Sequence, residues 1–313
     1  MKRMAGKILV GSCSWADKTL IDANWYPPAA KSPEDRLRFY SERFPIVEVD
    51  STYYAIPQQR NPEGWVERTP SDFTFDVKSY GLFTLHGAAT RALPKEMKEQ
   101  LPADSAEKTN VYYKDLPPEI GDELWRRFLE VLLPLDSAGK LGVVLFQFPP
   151  WFGPRRDNRD YILQAKERLG QFRMAVEFRN SAWMDSAEDQ ERSLKFLREN
   201  AITYVSVDEP QGFKTSVPPV VAATTSLGVI RMHGHNAETW NKRVKTAAER
   251  FDYLYSEDEL REWVPNIERL ASETSETHVL FNNCYRDYSV RNAAQIANLL
   301  GLRFGLPSQE QML

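Results

Sequence analysis

The sequence predicts a (β/α)₈ barrel formed by the whole chain. Three observations carry that expectation. Eight short apolar, β-rich runs follow one another, most of them separated by segments with apolar residues at helical spacing. The length, 313 residues, is that of one large barrel and allows a large buried core. The first run leads into Gly11-Ser12-Cys13-Ser14-Trp15, not into the G-x-G-x-x-G turn expected of an open, doubly wound sheet.

The strands are read at 8–12, 46–50, 73–78, 143–148, 174–178, 203–207, 229–233 and 278–282. Strands that alternate with helices pair in parallel through right-handed crossovers. Ser32-Pro33-Glu34 puts a capping hydroxyl before a proline at the first helical position, ahead of Leu37, Tyr40 and Phe44. Ser256 and Glu259 form a capping-box pair before Leu260, Trp263 and Ile267. Gly170 closes the helix that carries Tyr161, Ile162, Ala165 and Leu169. Ser289 is expected to cap the last helix, which stops at Gly301. Two connections, 80–120 and 235–255, are too long for simple barrel loops. Both follow a strand, so both are expected over the C-terminal mouth as lid or rim, with 81–120 an insertion in a domain spanning 1–313.

Composition narrows the function. Lys+Arg number 40 against Asp+Glu 44, a net charge of -4, which lacks the basic excess of a general nucleic-acid binder. Cys13 and Cys284 stand far apart with no C-x-x-C spacing, so neither a zinc site nor a disulfide framework is expected. The opening residues lead only into the short apolar run Ile8 to Val10, too short for a signal peptide or membrane span, and a cytoplasmic setting is expected.

The chemistry is read from strand alternation, because a strand points successive side chains to opposite faces. If Val47 and Val49 face the helices, Glu48 and Asp50 face inward. The same parity turns Asp76 and Lys78, Glu177 and Arg179, Ser206 and Asp208, Arg231 and His233, and Leu280 and Asn282 inward, with Gln147 on the fourth strand. Barrel interiors are normally filled by branched aliphatics, and an unpaired buried charge costs several kcal/mol. These side chains must therefore pair, meet water at the mouth, or hold a ligand. Glu177, Asp208 and His233 are candidates to move protons. Lys78, Arg179 and Arg231 can clamp an anionic or sugar-acid group, and Gln147, Asn282, Asn283 and Asp50 can orient a ligand. Trp15, Trp25, Tyr53 and Tyr54 follow strand ends and can stack on a ring. His86 is read as a surface residue of the third connection within reach of the mouth, and His278, at the start of the last strand, as structural.

In order along the chain stand Gly11-Ser12-Cys13-Ser14-Trp15 with Trp25-Tyr26-Pro27, Val47-Glu48-Val49-Asp50-Ser51-Thr52-Tyr53-Tyr54, Phe75-Asp76-Val77-Lys78, Gln147-Phe148-Pro149-Pro150, Glu177-Phe178-Arg179 with Trp183, Arg231-Met232-His233-Gly234 and Phe281-Asn282-Asn283. On these motifs the chain resembles the YecE-like family, the domain of unknown function 72. The resemblance implies a TIM-barrel fold, loosely similar to sugar-isomerase barrels, and supplies no reaction. Asp50 stands where the family pattern has Asn, Asn180 follows Arg179 where His is common, and the stretch 16–24 is longer than usual. The expected function is an enzyme acting on a small polar, anionic or sugar-like ligand at the C-terminal face. No cofactor is predicted. One alternative is a divalent-metal isomerase or hydrolase using Glu177, Asp208 and His233. Another is a non-catalytic protein that binds a ligand or nucleic acid through the two long connections. Oligomeric state is not legible.

Overall fold

The computed structural model describes residues 6–303. Eight parallel strands close into a barrel: β1 (Lys7–Cys13), β2 (Ile46–Val49), β3 (Thr74–Lys78), β4 (Leu141–Gln147), β5 (Met174–Glu177), β6 (Thr203–Asp208), β7 (Leu227–Met232) and β8 (Glu276–Phe281). Each strand pairs with its neighbours in chain order, and β1 closes on β8 with Ser12 opposite Phe281. The observed strands lie within two residues of those read from the sequence.

The helices surround the barrel: α1 (Pro33–Ser41), α2 (Arg60–Glu67), α3 (Pro118–Ser137), α4 (Arg156–Leu169), α5 (Ala187–Glu199), α6 (Glu257–Glu273) and α7 (Tyr288–Leu299). Their ends obey local chemistry. Ser32 and Asp35 make a capping box at α1, and Ser256 and Glu259 make another at α6. Gly170, at φ +67°, ends α4. Ser289 does not cap α7. The helix starts one residue earlier, so Ser289 lies inside it and is buried. The stretch 209–226 between β6 and β7 contains no helix.

The main core lies between barrel and helices. Phe148, Phe152, Trp183 and Phe178 stack in that order there, with centroids 4.1 Å apart for the Phe148–Phe152 and Phe178–Trp183 pairs. Inside the barrel Leu9, Cys13, Ile46 and Leu280 form a small apolar cluster. Leu145, Ala175, Val205, Val207 and Val229 share the inward parity of Gln147, Glu177 and Arg231, so the charged side chains of the interior sit among apolar ones. At the N-terminal end Asp76 accepts from the Val143 amide at 3.1 Å and lies 2.8 Å from His278 Nδ1, whose Nε2 is 2.9 Å from Glu276. Burial opposes charge on His278, but Asp76 and Glu276 prevail and raise its pKa to about 9. Gly142 makes room for this pair, since a Cβ there would lie 2.0 Å from Asp76 Oδ1.

The connection after β3 holds short helical turns and a two-stranded antiparallel pair, Ala88–Ala89 with Asn110–Val111. No helix among the described residues is long and apolar enough to cross a membrane.

Candidate functional site

The strand register stacks charged side chains in two levels toward the C-terminal end. In the lower level Arg231, from β7, is fully buried. It donates two hydrogen bonds to Glu48 across the barrel, at 2.9 and 2.7 Å, and one to Glu177 at 2.5 Å. Its remaining contacts are long: Gln147 Oε1 at 3.5 Å and Cys13 Sγ at 3.6 Å. Such a network persists only when each buried charge is paired and hydrogen-bonded. Burial raises the Cys13 thiol well above its ordinary pKa, which disfavours a thiolate nucleophile.

The upper level is built around Arg179, two residues past the glutamate of β5. Its Nε donates to Glu177 at 2.6 Å, Nη1 to Glu209 at 2.7 Å, and Nη2 lies 3.0 Å from His233 Nε2. The Asn282 amide sits 2.9 Å from His233 Nδ1. An arginine N–H can only donate, so Nε2 of the neutral ring accepts; Nδ1 then carries the ring proton, and the Asn282 side chain accepts it with its amide oxygen turned toward the ring. Burial and the Arg179 cation push the His233 pKa down to about 3. Burial alone would raise Glu177, but Arg179 and Arg231 overcome it and hold the carboxyl well below its usual range. Burial pushes Glu209 up to about 8 despite Arg179.

Lys78 forms the other side of the mouth. Its ammonium lies 2.8 Å from Asp50 and 4.7 Å from the centre of the Tyr53 ring. The Tyr53 ring meets His86 edge-on at 5.3 Å. His86 therefore reaches the mouth from the third connection, half-buried. Burial and the charges of Lys78 and Arg179 lower its pKa to about 4.

The connection after β7 covers part of this level. Trp240, almost buried, lies over the Arg179 guanidinium at 5.1 Å, and Phe251 packs 5.7 Å from His233. The same connection supplies the partners of Asp208. Tyr255 donates to Asp208 at 2.7 Å, and His235 Nε2 lies 2.9 Å from it.

The structure thus brings together Glu177, Arg179, Arg231, His233, Asn282 and Gln147, with Lys78, Asp50 and Tyr53 beside them. It holds Asp208 apart, tied to His235 and Tyr255. Trp15 faces outward, donating to the Pro33 carbonyl and packing on Trp65 and Phe75. Asn283 also turns toward the helices, where its amide bonds Tyr253 and Asn292. Trp25 packs on Tyr26 and Phe39, while Tyr54 is exposed. On β6 the expected parity is reversed: Val205 lies beside Val229 and Val207 beside Arg231, so these valines and then Glu209 face inward, while Ser206 and Asp208 lie beside Ile230 and Met232 on the helix side. Trp240, His235 and Tyr255 come from a connection with no periodic signal. Among the described residues no three His, Cys, Asp or Glu side chains gather so as to hold a metal ion.

Comparison with known proteins places this geometry. The family described as "Protein of unknown function DUF72" matches residues 9–312. The chain belongs to the DUF72 family. UPF0759 protein YunF of Bacillus subtilis (strain 168) is 34% identical over 301 residues, covering 95% of this chain and 96% of YunF. UPF0759 protein YecE of Escherichia coli (strain K12) is 24% identical over 224 residues, covering 66% of this chain and 70% of YecE. A DUF72 crystal structure from Thermotoga maritima MSB8 superposes with a TM-score of 0.73 at 30% identity, over 94% of this chain and 99% of that one. Another, from Enterococcus faecalis V583, gives 0.76 at 26% identity, over 96% and 99%. The barrel is therefore the DUF72 barrel.

Proposed function

We propose that the mouth of this DUF72 barrel binds a small polar ligand bearing an anionic or sugar-acid group, and that the protein is an enzyme acting on it. One observation carries the reading: the carboxylates lie beneath the cations. The side chains of Glu48, Glu177 and Glu209 have no exposure, whereas Lys78 and Arg179 keep 11% and 8%. Asp50, at 27%, is the carboxylate that shares the rim. Of these three charged groups that keep exposure at the rim, two are thus N–H donors, which suits an anion.

The same order disfavours a metal at Glu177, because both of its oxygens already hold arginines that would repel a cation. A ligand anion that draws the Arg179 guanidinium toward itself relieves His233 of its neighbouring cation. The imidazole then gains proton affinity, with Glu177 beside it to stabilise the charged form. His233 and Glu177 are the proton-handling pair in this reading. Lys78 and Arg179 bind, Gln147 and Asn282 orient, and Asp208 anchors the connection after β7.

The test is a ligand panel of carboxylates, phosphomonoesters, sugar acids and neutral sugars, followed by thermal shift and calorimetry. Anionic members are expected to stabilise the protein, with Lys78→Gln and Arg179→Gln weakening them at least tenfold while neutral sugars stay weak. Equal binding of neutral sugars, or anion binding indifferent to both substitutions in folded protein, overturns the reading.

A further inference from the structure

His86 is the one histidine of the mouth with a nitrogen left over. Its Nδ1 lies 2.9 Å from Thr84 Oγ1, and Nε2 makes no hydrogen bond among the described residues. The chain places it at some cost. Leu85, just before it, is left-handed at φ +63°, a region branched residues avoid. A tight turn holds the pair, with the His86 amide donating to the Gly81 carbonyl at 2.9 Å. Gly81 in turn sits against the Tyr53 ring, where a Cβ would come within 3.3 Å.

The Tyr53 ring from the second connection and Thr84 from its own turn contact the imidazole, Lys78 from β3 lies 4.7 Å from the centre of the same Tyr53 ring, and the charges of Lys78 and Arg179 disfavour a proton on it. Tyr112 packs against the neighbouring Gly87. Asp50 lies on Lys78, and Glu177 and Glu209 both hold Arg179, whereas among the described residues no carboxylate bonds His86.

We propose that Lys78, Arg179 and His86 form an oxyanion subsite for a phosphate-like dianion, which is taken up together with one proton on His86 Nε2. The inference rests on the anionic-ligand reading above and adds the ligand's chemical class and a coupled proton. Three donors from three separate segments suit an oxyanion with three terminal oxygens better than a planar carboxylate with two. Lys78 and Arg179 already share their charge with carboxylates, so a second negative charge calls for a third cation. The proton comes from solvent, and no bond of the ligand is made or broken.

Sulfate is the direct probe, because it does not titrate near neutrality and any proton bound belongs to the protein. Calorimetry on the full chain at pH 6, in buffers of different ionisation enthalpy, is expected to show uptake approaching one proton per sulfate. Affinity should fall about tenfold per pH unit where the free imidazole is neutral and the liganded one charged. In His86→Gln sulfate should bind more weakly and without uptake. A phosphomonoester should compete with sulfate, and acetate should not. The imidazole resonance of His86 in the unsubstituted protein provides a check independent of folding: it should move toward the protonated position on adding sulfate. Sulfate binding with no uptake, uptake that persists in His86→Gln, or an unmoved resonance overturns this inference and leaves anion binding standing. Binding of no anion at all overturns both.

Discussion

Replacing Arg231 by methionine keeps most of the side-chain volume and removes the cation hydrogen-bonded to Glu48. Three short hydrogen bonds to carboxylates are lost, two to Glu48 and one to Glu177. At the lower end of about 1.5 kcal/mol each, hydrogen bonds to charged groups sum to about 4.5 kcal/mol. That agrees with the roughly 3–5 kcal/mol for breaking a buried ion pair by deleting one partner. Glu177 keeps Arg179, while Glu48 keeps no direct cation, so most of the loss belongs to Glu48. Thermal unfolding should show a midpoint lowered by about 6–20 °C, taking that roughly 3–5 kcal/mol at about 2–4 °C per kcal/mol, the figure for large single domains. Adding Glu48→Gln should recover part of the loss, because a neutral amide no longer needs a counter-charge. A loss below about 1 kcal/mol, or a double substitution whose effects simply add, would refute the argument that this network is a coupled unit.

The lower pair makes two further predictions. His278 has a folded pKa of about 9 against an ordinary 6.5, so the folded state binds more protons between those values. Its contribution, on the order of 3 kcal/mol, is complete below pH 6.5 and is lost as pH rises through 9. Denaturant titrations from pH 6 to 10 should show a declining midpoint that flattens in His278→Gln. In Gly142→Ala the added methyl meets Asp76 Oδ1 at 2.0 Å, so chemical denaturation should report a loss of about 1–3 kcal/mol. An unchanged midpoint would mean that Asp76 moves freely.

Much of this was legible because parallel barrels impose a period of two on side-chain direction. Once Val47, Val77, Val176 and Ile230 are assigned to the helix side, the inward positions of Glu48, Lys78, Glu177 and Arg231 follow. The same rule places Asn283 with the helices, although its motif suggested the site. The rule fails where the strand stops. Ser14 takes φ +90° just after β1, and the chain then carries Trp15 out to Trp65. His86 lies on irregular backbone whose direction is set by the Gly81 turn beneath it, and no local pattern encodes it. On β6 the sequence misleads: apolar Val205 and Val207 suggest the helix side, but the register with β7 turns them inward with Glu209 and sends Asp208 out to Tyr255 and His235.

The helix-free stretch after β6 has a mechanical consequence. Helices supply their own ladder of backbone hydrogen bonds, whereas this segment relies on scattered ties such as the Val217 amide to Glu209 and the Gln211 side chain to the Val217 carbonyl. Glu209 also grips Arg179. A part of the wall without a helical ladder is thus joined through one carboxyl to the guanidinium at the mouth. Local opening there would slacken the anchor of Arg179 while the lower ion network stayed shut.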